Sequence, residues 1–250
     1  MKNKNRSCSS ILFKSIIGIA IFGGIVYLAA SRYIFMPWEE HGHPQFSHVR
    51  GIDISRHQKH INWDKLADAE IDGDKISFVY IKATEGKKYR YGLFFRNNFR
   101  EARTHGILRG AYHYWRNTEP EAQAEAFIKR VKLRKGDLAP MLDVEEIPNE
   151  NNIEKFQKDV LKWLDIIERH YGIRPIIYAY RDFVWKYLDS EEFEKYPLWI
   201  AHHYVKRPVY FDDWKIWQYS DRGRISGIDN NVDINVFNGT RKELEQLTIK

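Results

Sequence analysis

Short apolar segments alternate with longer amphipathic segments between residues 51 and 237 of the chain. The apolar segments are rich in β-branched and aromatic residues and are bounded by turn-forming residues, a pattern typical of buried strands. Eight strands are predicted: Gly51–Ile54, Ser77–Ala83, Arg109–Trp115, Leu138–Val144, Arg174–Tyr180, Pro197–Ala201, Lys215–Tyr219 and Val232–Phe237.

The segments between the first five strands are long enough for helices and carry helix start and stop signals. Four helices are predicted: Asn62–Ile71, Leu93–His105, Glu119–Lys135 and Asn152–Tyr171. The later connections, His202–Trp214 and Ser220–Asn231, are short and contain Gly, Pro, Asp and Asn, so we expect loops there.

Strands that alternate with helices predict parallel pairing through right-handed crossovers. We therefore expect an α/β fold, an irregular and incomplete TIM-like (β/α)-barrel with eight strands, whose last units lack helices. A doubly wound open sheet is the alternative, but no Gly-rich phosphate loop follows the first strand.

The first 36 residues have the pattern of a membrane segment. Lys2, Lys4 and Arg6 precede a nearly unbroken apolar run over residues 16–30, and the basic end is expected to stay in the cytoplasm. We interpret residues 1–36 as a cytoplasmic tip and transmembrane signal anchor, residues 37–49 as a linker and residues 50–250 as the barrel, which would be periplasmic or extracellular. Cleavage near Ala30, giving a secreted protein, is the alternative.

Composition narrows the range of partners and cofactors. The formal net charge of +6 comes without a long Arg/Lys stripe, so we expect a solvated basic surface and no nucleic-acid partner. The single cysteine, Cys8, excludes an intrachain disulfide. The pairs His57/His60 and His202/His203 lack a convincing third ligand, so neither a metal nor another cofactor is expected.

Two carboxylates end the fourth predicted strand. Asp143 and Glu145 stand two positions apart, so in a strand they point to the same face. Carboxylates held close together cannot both ionise freely, and one of them can then act as an acid near neutral pH. Such pairs are the working groups of most glycoside hydrolases, although this short pattern alone more often marks a strand that runs into a solvated acidic loop.

The barrel topology brings further chemistry to the same place, because active sites of such barrels lie at the C-terminal ends of the strands. Asp53 and Asp233, on the first and last strands, are expected to join Asp143 and Glu145 there. Candidate substrate-binding residues at this rim are Lys82, Glu85, Tyr112, Tyr178, Tyr180, Trp199 and Gln218. For any single aromatic residue among them, core packing is the competing interpretation.

Several blocks of the sequence occur in the order of a known family. They are Gly51–Ser55 with His57, Gln58 and Trp63, then Ile81–Gly86, Gly110–Tyr114, Leu142–Glu145, Pro175–Tyr178, Leu198–Ala201, Trp217–Tyr219 and Val232–Phe237. Together they resemble glycoside hydrolase family 25, the Chalaropsis-type lysozymes. Lys59 and Asn62 stand where this family often has Gly and Asp, which affects loop shape rather than the reaction.

The resemblance implies a retaining N-acetylmuramidase that cuts the β-1,4 bond between N-acetylmuramic acid and N-acetylglucosamine in peptidoglycan. It assigns Glu145 as the general acid and Asp143 as nucleophile, stabiliser or orienter of the substrate acetamido group, with Asp53 and Asp233 in support. Lys82 is expected at the lactyl carboxylate or a sugar hydroxyl, or else in a salt bridge inside the barrel. The expected partners are peptidoglycan glycan strands and, through the N-terminal helix, the membrane. The barrel itself is expected to be monomeric.

Two other functions fit parts of the pattern. A non-catalytic glycan-binding barrel would keep the fold, but loss of the acid is its usual mark, and all four carboxylates are present here. A chitinase-like hydrolase expects a longer acidic run with the spacing D-x-x-D-x-D-x-E, whereas the residues upstream of Asp143, Ala139 and Pro140 among them, are not acidic.

Overall fold

The computed structural model describes residues 49–87, 94–208 and 213–250. The strands in these ranges are β1 (Arg50–Ile54), β2 (Glu70–Ile71), β3 (Asp74–Glu85), β4 (Leu108–Tyr114), β5 (Met141–Asp143), β6 (Ile176–Tyr180), β7 (Leu198–Ala201), β8 (Trp214–Gly223) and β9 (Val232–Phe237). The α-helices are α1 (Trp63–Ala67), α2 (Phe95–Thr104), α3 (Pro120–Arg130), α4 (Ile153–Tyr171), α5 (Arg181–Tyr187), α6 (Glu191–Glu194) and α7 (Arg241–Gln246).

The predicted membrane segment, residues 1–36, and the linker up to residue 48 lie outside the described residues. Within the part of the chain that the structure describes, no helix is both long enough and apolar enough to cross a membrane.

Eight of the strands form a closed barrel. Parallel pairs run from β1 through β3, β4, β5, β6 and β7 to β8, and β9 closes the ring by pairing with both β8 and β1. The short strand β2 adds to the outside of this ring through β3. The prediction of an irregular eight-stranded barrel is confirmed, and the doubly wound open sheet is wrong.

The expectation of parallel pairing fails for the last strand, since β9 is antiparallel to both of its neighbours. The connection from Gly223 to Val232 is too short for a helical crossover, which a parallel pair requires. This reversal places the first residues of β9 beside the last residues of the parallel strands. Asp233 therefore reaches the rim where the parallel strands end from the start of its own strand rather than from its end.

Two predicted helices end earlier in the structure, and three helices were not predicted. The helix predicted over Asn62–Ile71 ends at Ala67, because Asp72 and Gly73 adopt positive φ angles of 56° and 82° and form the turn of a β2–β3 hairpin. The helix predicted to reach Lys135 ends at Arg130. Helices α5 and α6, between β6 and β7, and helix α7, after β9, were not predicted.

Side chains alternate across the barrel wall. Phe78, Tyr80 and Trp199 fill the barrel interior, whereas Val79 and Ile81 pack outward against the helices. Glycine makes room for the interior rings; a Cβ at Gly110, for example, would overlap the Tyr80 ring. The tight interior supports the rim above it.

Candidate active site

Asp53 and Asp233 face each other across the antiparallel pair β1–β9. Their side chains are hydrogen-bonded, and two carboxyl groups can form such a bond only when one of them carries a proton. Burial, the Asp53 charge and this hydrogen bond raise the pKa of Asp233 to about 9. The same bond favours the charged form of Asp53, so the proton belongs to Asp233.

Two side-chain amide groups also donate hydrogen bonds to Asp53. Gln218 Nε2 donates to Asp53 Oδ2 at 3.0 Å, and Asn235 Nδ2 donates to the same oxygen at 2.8 Å. Asn235 Oδ1 in turn accepts a hydrogen bond of 3.0 Å from Trp199 Nε1. Burial raises the pKa of Asp53, while these hydrogen bonds oppose that rise by stabilising the anion.

Asp143 is the last residue of β5, between Tyr114 of β4 and Tyr178 of β6 in register. Its side chain is buried, and its Oδ1 has no hydrogen-bond partner among the described residues. Burial first, and then the nearby Glu145 charge, raise the pKa of Asp143 well above its ordinary value. The Oδ1 atom of Asp143 is thus a buried polar atom without a hydrogen-bond partner among the described residues.

Glu145 follows β5 instead of belonging to it, so the prediction that both carboxylates project from one strand is wrong in detail. Val144 N still donates to Tyr178 O of β6 at 2.9 Å, and the chain leaves the sheet after this bond. Burial and the Asp53 charge raise the pKa of Glu145, and hydrogen bonding to Tyr178 and Tyr114 and the Lys82 charge limit that rise.

The four carboxylates nevertheless converge. The hydroxyl of Tyr112 is buried, and the charges of Asp53, Asp143, Asp233 and Glu145 all add to burial in raising its pKa. The predicted grouping of these four residues at one rim is therefore observed, with Tyr112 among them. Because these like charges lie close together, the four carboxyl groups do not all ionise together. A carboxyl group that keeps its proton near neutral pH can act as a general acid.

Lys82 and Glu85, both predicted to bind substrate, pair with each other at 2.8 Å. Arg116 Nη2 also contacts Glu85, at 2.5 Å, and Arg116 Nη1 lies 3.4 Å from Glu146. Lys82 Nζ lies 4.2 Å from the centre of the Tyr114 ring. The salt-bridge interpretation of Lys82 is thus observed, and a contact of Lys82 or Glu85 with substrate stays a prediction.

The remaining predicted residues differ in exposure. Tyr180 is 44% exposed at the end of β6 and is open to solvent, whereas Tyr178 is buried. Trp199 is fully buried, and its edge-to-face contact with Tyr80 places it in the barrel core rather than on a surface where a sugar would stack. Gln218 is buried and bonds other side chains of the rim.

Sequence reasoning missed three residues of this rim. Asn235 follows Asp233 at the i+2 position and shares its face, a signal that was available. Arg116 had no such signal. His203 was considered only as a metal ligand, but its Nε2 lies 2.9 Å from Gln218 Oε1. Among the described residues, no group of three or more His, Cys, Asp or Glu side chains could hold a metal ion.

A closed barrel with coupled carboxylates and aromatic side chains at one rim has the form of a glycoside hydrolase. The sequence profile of glycosyl hydrolases family 25 matches residues 52–228. The chain belongs to this family and is a lysozyme-type glycoside hydrolase, which confirms the resemblance found in the sequence.

Known proteins agree with this assignment. The chain is 40% identical to the uncharacterized protein YegX of Escherichia coli K12, over 79% of this chain and 72% of that protein. It is 33% identical to lysozyme M1 of Streptomyces globisporus, over 79% and 70%. The structure of a family 25 glycosyl hydrolase from Bacillus anthracis superposes with a TM-score of 0.72 at 30% identity, covering 83% of this chain and 97% of that one.

Proposed function

We propose that this protein is a muramidase that hydrolyses the β-1,4 bond between N-acetylmuramic acid and N-acetylglucosamine in peptidoglycan, with Glu145 as the general acid. The observation that carries the proposal is the setting of Glu145. Glu145 is partly buried, and burial together with the charge of Asp53 raises the pKa of its carboxyl, so that it can hold a proton to deliver to the leaving oxygen. Lysozyme-type relatives supply the substrate class.

Asp143 is proposed to orient the 2-acetamido group of the substrate. Its buried Oδ1 has no hydrogen-bond partner in the described ranges, and an acetamido N–H would supply one. The acetamido oxygen would then attack the anomeric carbon as the C–O bond to the leaving group breaks and Glu145 protonates the departing oxygen. Water would open the resulting oxazolinium ion with Glu145 as base, giving net retention.

Direct attack by Asp143 is the second route to retention, and the two routes differ in their intermediates. We would incubate the protein with an activated 2-deoxy-2-fluoro glycoside, which has no acetamido group, and measure the intact mass. A stable glycosyl adduct on Asp143 supports direct attack, whereas unmodified protein supports substrate assistance.

The bond that is cut can be identified directly. We would incubate the full chain with purified peptidoglycan, reduce the soluble products with borohydride and analyse them by mass spectrometry. Fragments ending in reduced N-acetylmuramic acid support the proposal. Fragments ending in reduced N-acetylglucosamine contradict the bond assignment, and retained glycan binding without any release supports the non-catalytic barrel.

We also propose that residues 1–36 export the barrel and tether it to the membrane. The basis is the basic tip followed by the apolar run over residues 16–30, which Tyr33, Ile34, Phe35 and Met36 extend past Arg32 to a length that can span a bilayer. Membrane fractions extracted with alkaline carbonate should retain the full-length chain, and protease added outside the cytoplasm should degrade the barrel. A shortened chain released to the soluble fraction would support cleavage near Ala30 instead.

A further inference from the structure

A surface cavity between helices α2 and α3 is strongly basic. Among the described residues that line it, eight are Lys or Arg and none is Asp or Glu. Six of the eight are exposed and are called the basic cluster below: Arg96, Arg100, Arg103, Lys129, Lys132 and Arg134. We propose that the basic cluster docks on the anionic lipid headgroups of a membrane surface. The inference rests on the proposed tether and is independent of the proposed reaction.

The positive charge of the barrel is concentrated in the basic cluster. Residues 1–48 contain five Lys or Arg and two Asp or Glu, so 35 of the chain's 40 basic residues and 32 of its 34 acidic residues follow, a net charge of +3. The six members of the basic cluster exceed this net charge, so the remainder of residues 49–250 is net negative. A charge distribution this uneven attracts an anionic surface and orients the protein toward it.

Nearby carboxylates neutralise only part of the charge of the basic cluster. Arg100 pairs with Glu101 at 2.8 Å, and Arg103 pairs with Asp137 at 3.0 Å. Asp137 is buried and also pairs with Arg109 at 2.7 Å, so its charge is already shared. Within the described ranges, no ion pair is formed by the other four members, Arg96, Lys129, Lys132 and Arg134. Four exposed positive charges are thus available to an external anion.

The contact that the basic cluster offers is electrostatic. Phe95 and Phe99 line the cavity but are buried, so neither ring is available to enter the acyl region of a bilayer. The cations also repel one another: burial and the Arg96 charge lower the pKa of Arg130, whose guanidinium lies 5.8 Å from the centre of the Phe95 ring. Anionic headgroups would relieve this repulsion, and the attraction should weaken as salt screens it.

The position of the basic cluster favours a lipid surface over a dissolved polyanion. Arg109, at the start of β4, lines the same cavity, so the cavity extends to the end of the barrel where the parallel strands begin. Strand β1 begins at this end as well, because β1 and β4 both pair in parallel with β3. The chain therefore enters the barrel from the proposed tether at this end. The four carboxylates lie at the opposite end, so docking would leave them open to glycan.

The test compares the full chain in vesicles of phosphatidylcholine alone and of phosphatidylcholine mixed equally with phosphatidylglycerol. A membrane-impermeant acetylating reagent labels exposed lysines, and mass spectrometry measures the labelling rates of Lys129 and Lys132. We expect the anionic vesicles to slow both rates at least about threefold, and about 1 M sodium chloride to restore them. Lys155, near the start of helix α4 and toward the rim, is the reference and should be unaffected.

Two double variants separate the basic cluster from overall charge. Arg96→Gln/Arg134→Gln removes two members that have no ion pair, so protection of the two cluster lysines should fall by at least about half. Lys158→Gln/Lys162→Gln removes the same charge from helix α4 and is the matched control, in which the protection should persist. Circular dichroism verifies that both variants fold. Equal loss of protection in the two variants would show that only net charge matters, which overturns the proposal.

Flotation of the vesicles distinguishes failure of the tether from failure of this inference. A chain that floats with both vesicle types but shows equal labelling of Lys129 in both keeps the tether and overturns the docking surface. A chain that floats only with anionic vesicles supports the docking surface and contradicts the tether, and a chain that floats with neither contradicts both. Stronger protection by dissolved teichoic acid than by anionic vesicles would assign the basic cluster to a wall polymer and overturn the lipid assignment.

Discussion

Asp233 lies directly opposite Asp53 on the pair β1–β9. The two side chains are hydrogen-bonded, and Asp233 carries the proton of this bond. This relationship exists because β9 runs antiparallel to β1, so the start of one strand meets the end of the other. A carboxylic acid that keeps its proton at neutral pH is a hydrogen-bond donor. Asp233 therefore acts toward Asp53 as an amide would.

The location of this proton predicts unequal effects of two isosteric substitutions. Asp233→Asn keeps a donor toward Asp53, so we expect kcat/KM to fall by less than about tenfold. Asp53→Asn removes the anion that Gln218 and Asn235 hold, so we expect a loss of at least about 100-fold. Initial rates of peptidoglycan solubilisation would measure both, and equal losses would place the proton elsewhere.

The same proton links stability to pH. The folded-state pKa of Asp233 is raised to about 9 from an ordinary value of 3.8, so the folded chain holds the proton more tightly than the unfolded chain does. The stability that this contributes is complete below the unfolded value and is lost as pH rises toward the folded one.

We therefore expect Asp233→Asn to be more stable than the wild type at pH 8, by about 1–3 kcal/mol, and the difference to shrink toward pH 4. Urea unfolding at several pH values measures the free energy of unfolding for both proteins. Parallel stability curves for the two would contradict a raised Asp233 pKa.

Substitutions at Glu145 and at its neighbour Glu146 test directly whether Glu145 is the general acid. Glu145→Gln should lower kcat by about 10²- to 10⁴-fold with the fold intact, because an amide cannot protonate the leaving oxygen. Glu146→Gln is the matched control, since Glu146 pairs with Arg116 at 3.4 Å at a partly exposed position. Its expected loss is less than about fivefold. Circular dichroism would verify folding, and near-normal turnover by Glu145→Gln would refute the assignment.

The sequence predicted the features that depend on local pattern. The apolar period located the strands, and the i+2 spacing brought attention to Asp143 and Glu145. The sequence did not predict the reversed direction of β9, because the apolar pattern of a strand is the same in either direction. The end of β5 at Asp143 was not predicted either, because the apolar run continues through Val144.

The hydrogen-bond network of the rim could not be predicted from the sequence. Gln218 and Asp53 are 165 positions apart, and only closure of the barrel brings them to 3.0 Å. His203 gave no signal except as a metal ligand, because a histidine that hydrogen-bonds to an amide needs no partner nearby in sequence. Their positions in the predicted strands pointed to the carboxylates and the family resemblance assigned their roles, but the groups that hydrogen-bond to them became visible only in three dimensions.

Lys59 stands where the family often has glycine, and the backbone explains why glycine is suited to it. Lys59 has φ 53° and ψ −120°, a conformation that a side chain disfavours. Lys59→Gly should raise the free energy of unfolding by about 1 kcal/mol, as relief of strain exceeds the entropy of glycine in the unfolded chain. Lys65→Gly, within helix α1, is the control and should lower it by about the same amount. Urea midpoints measure both changes, and equal destabilisation by the two would show that the Lys59 backbone stores no strain.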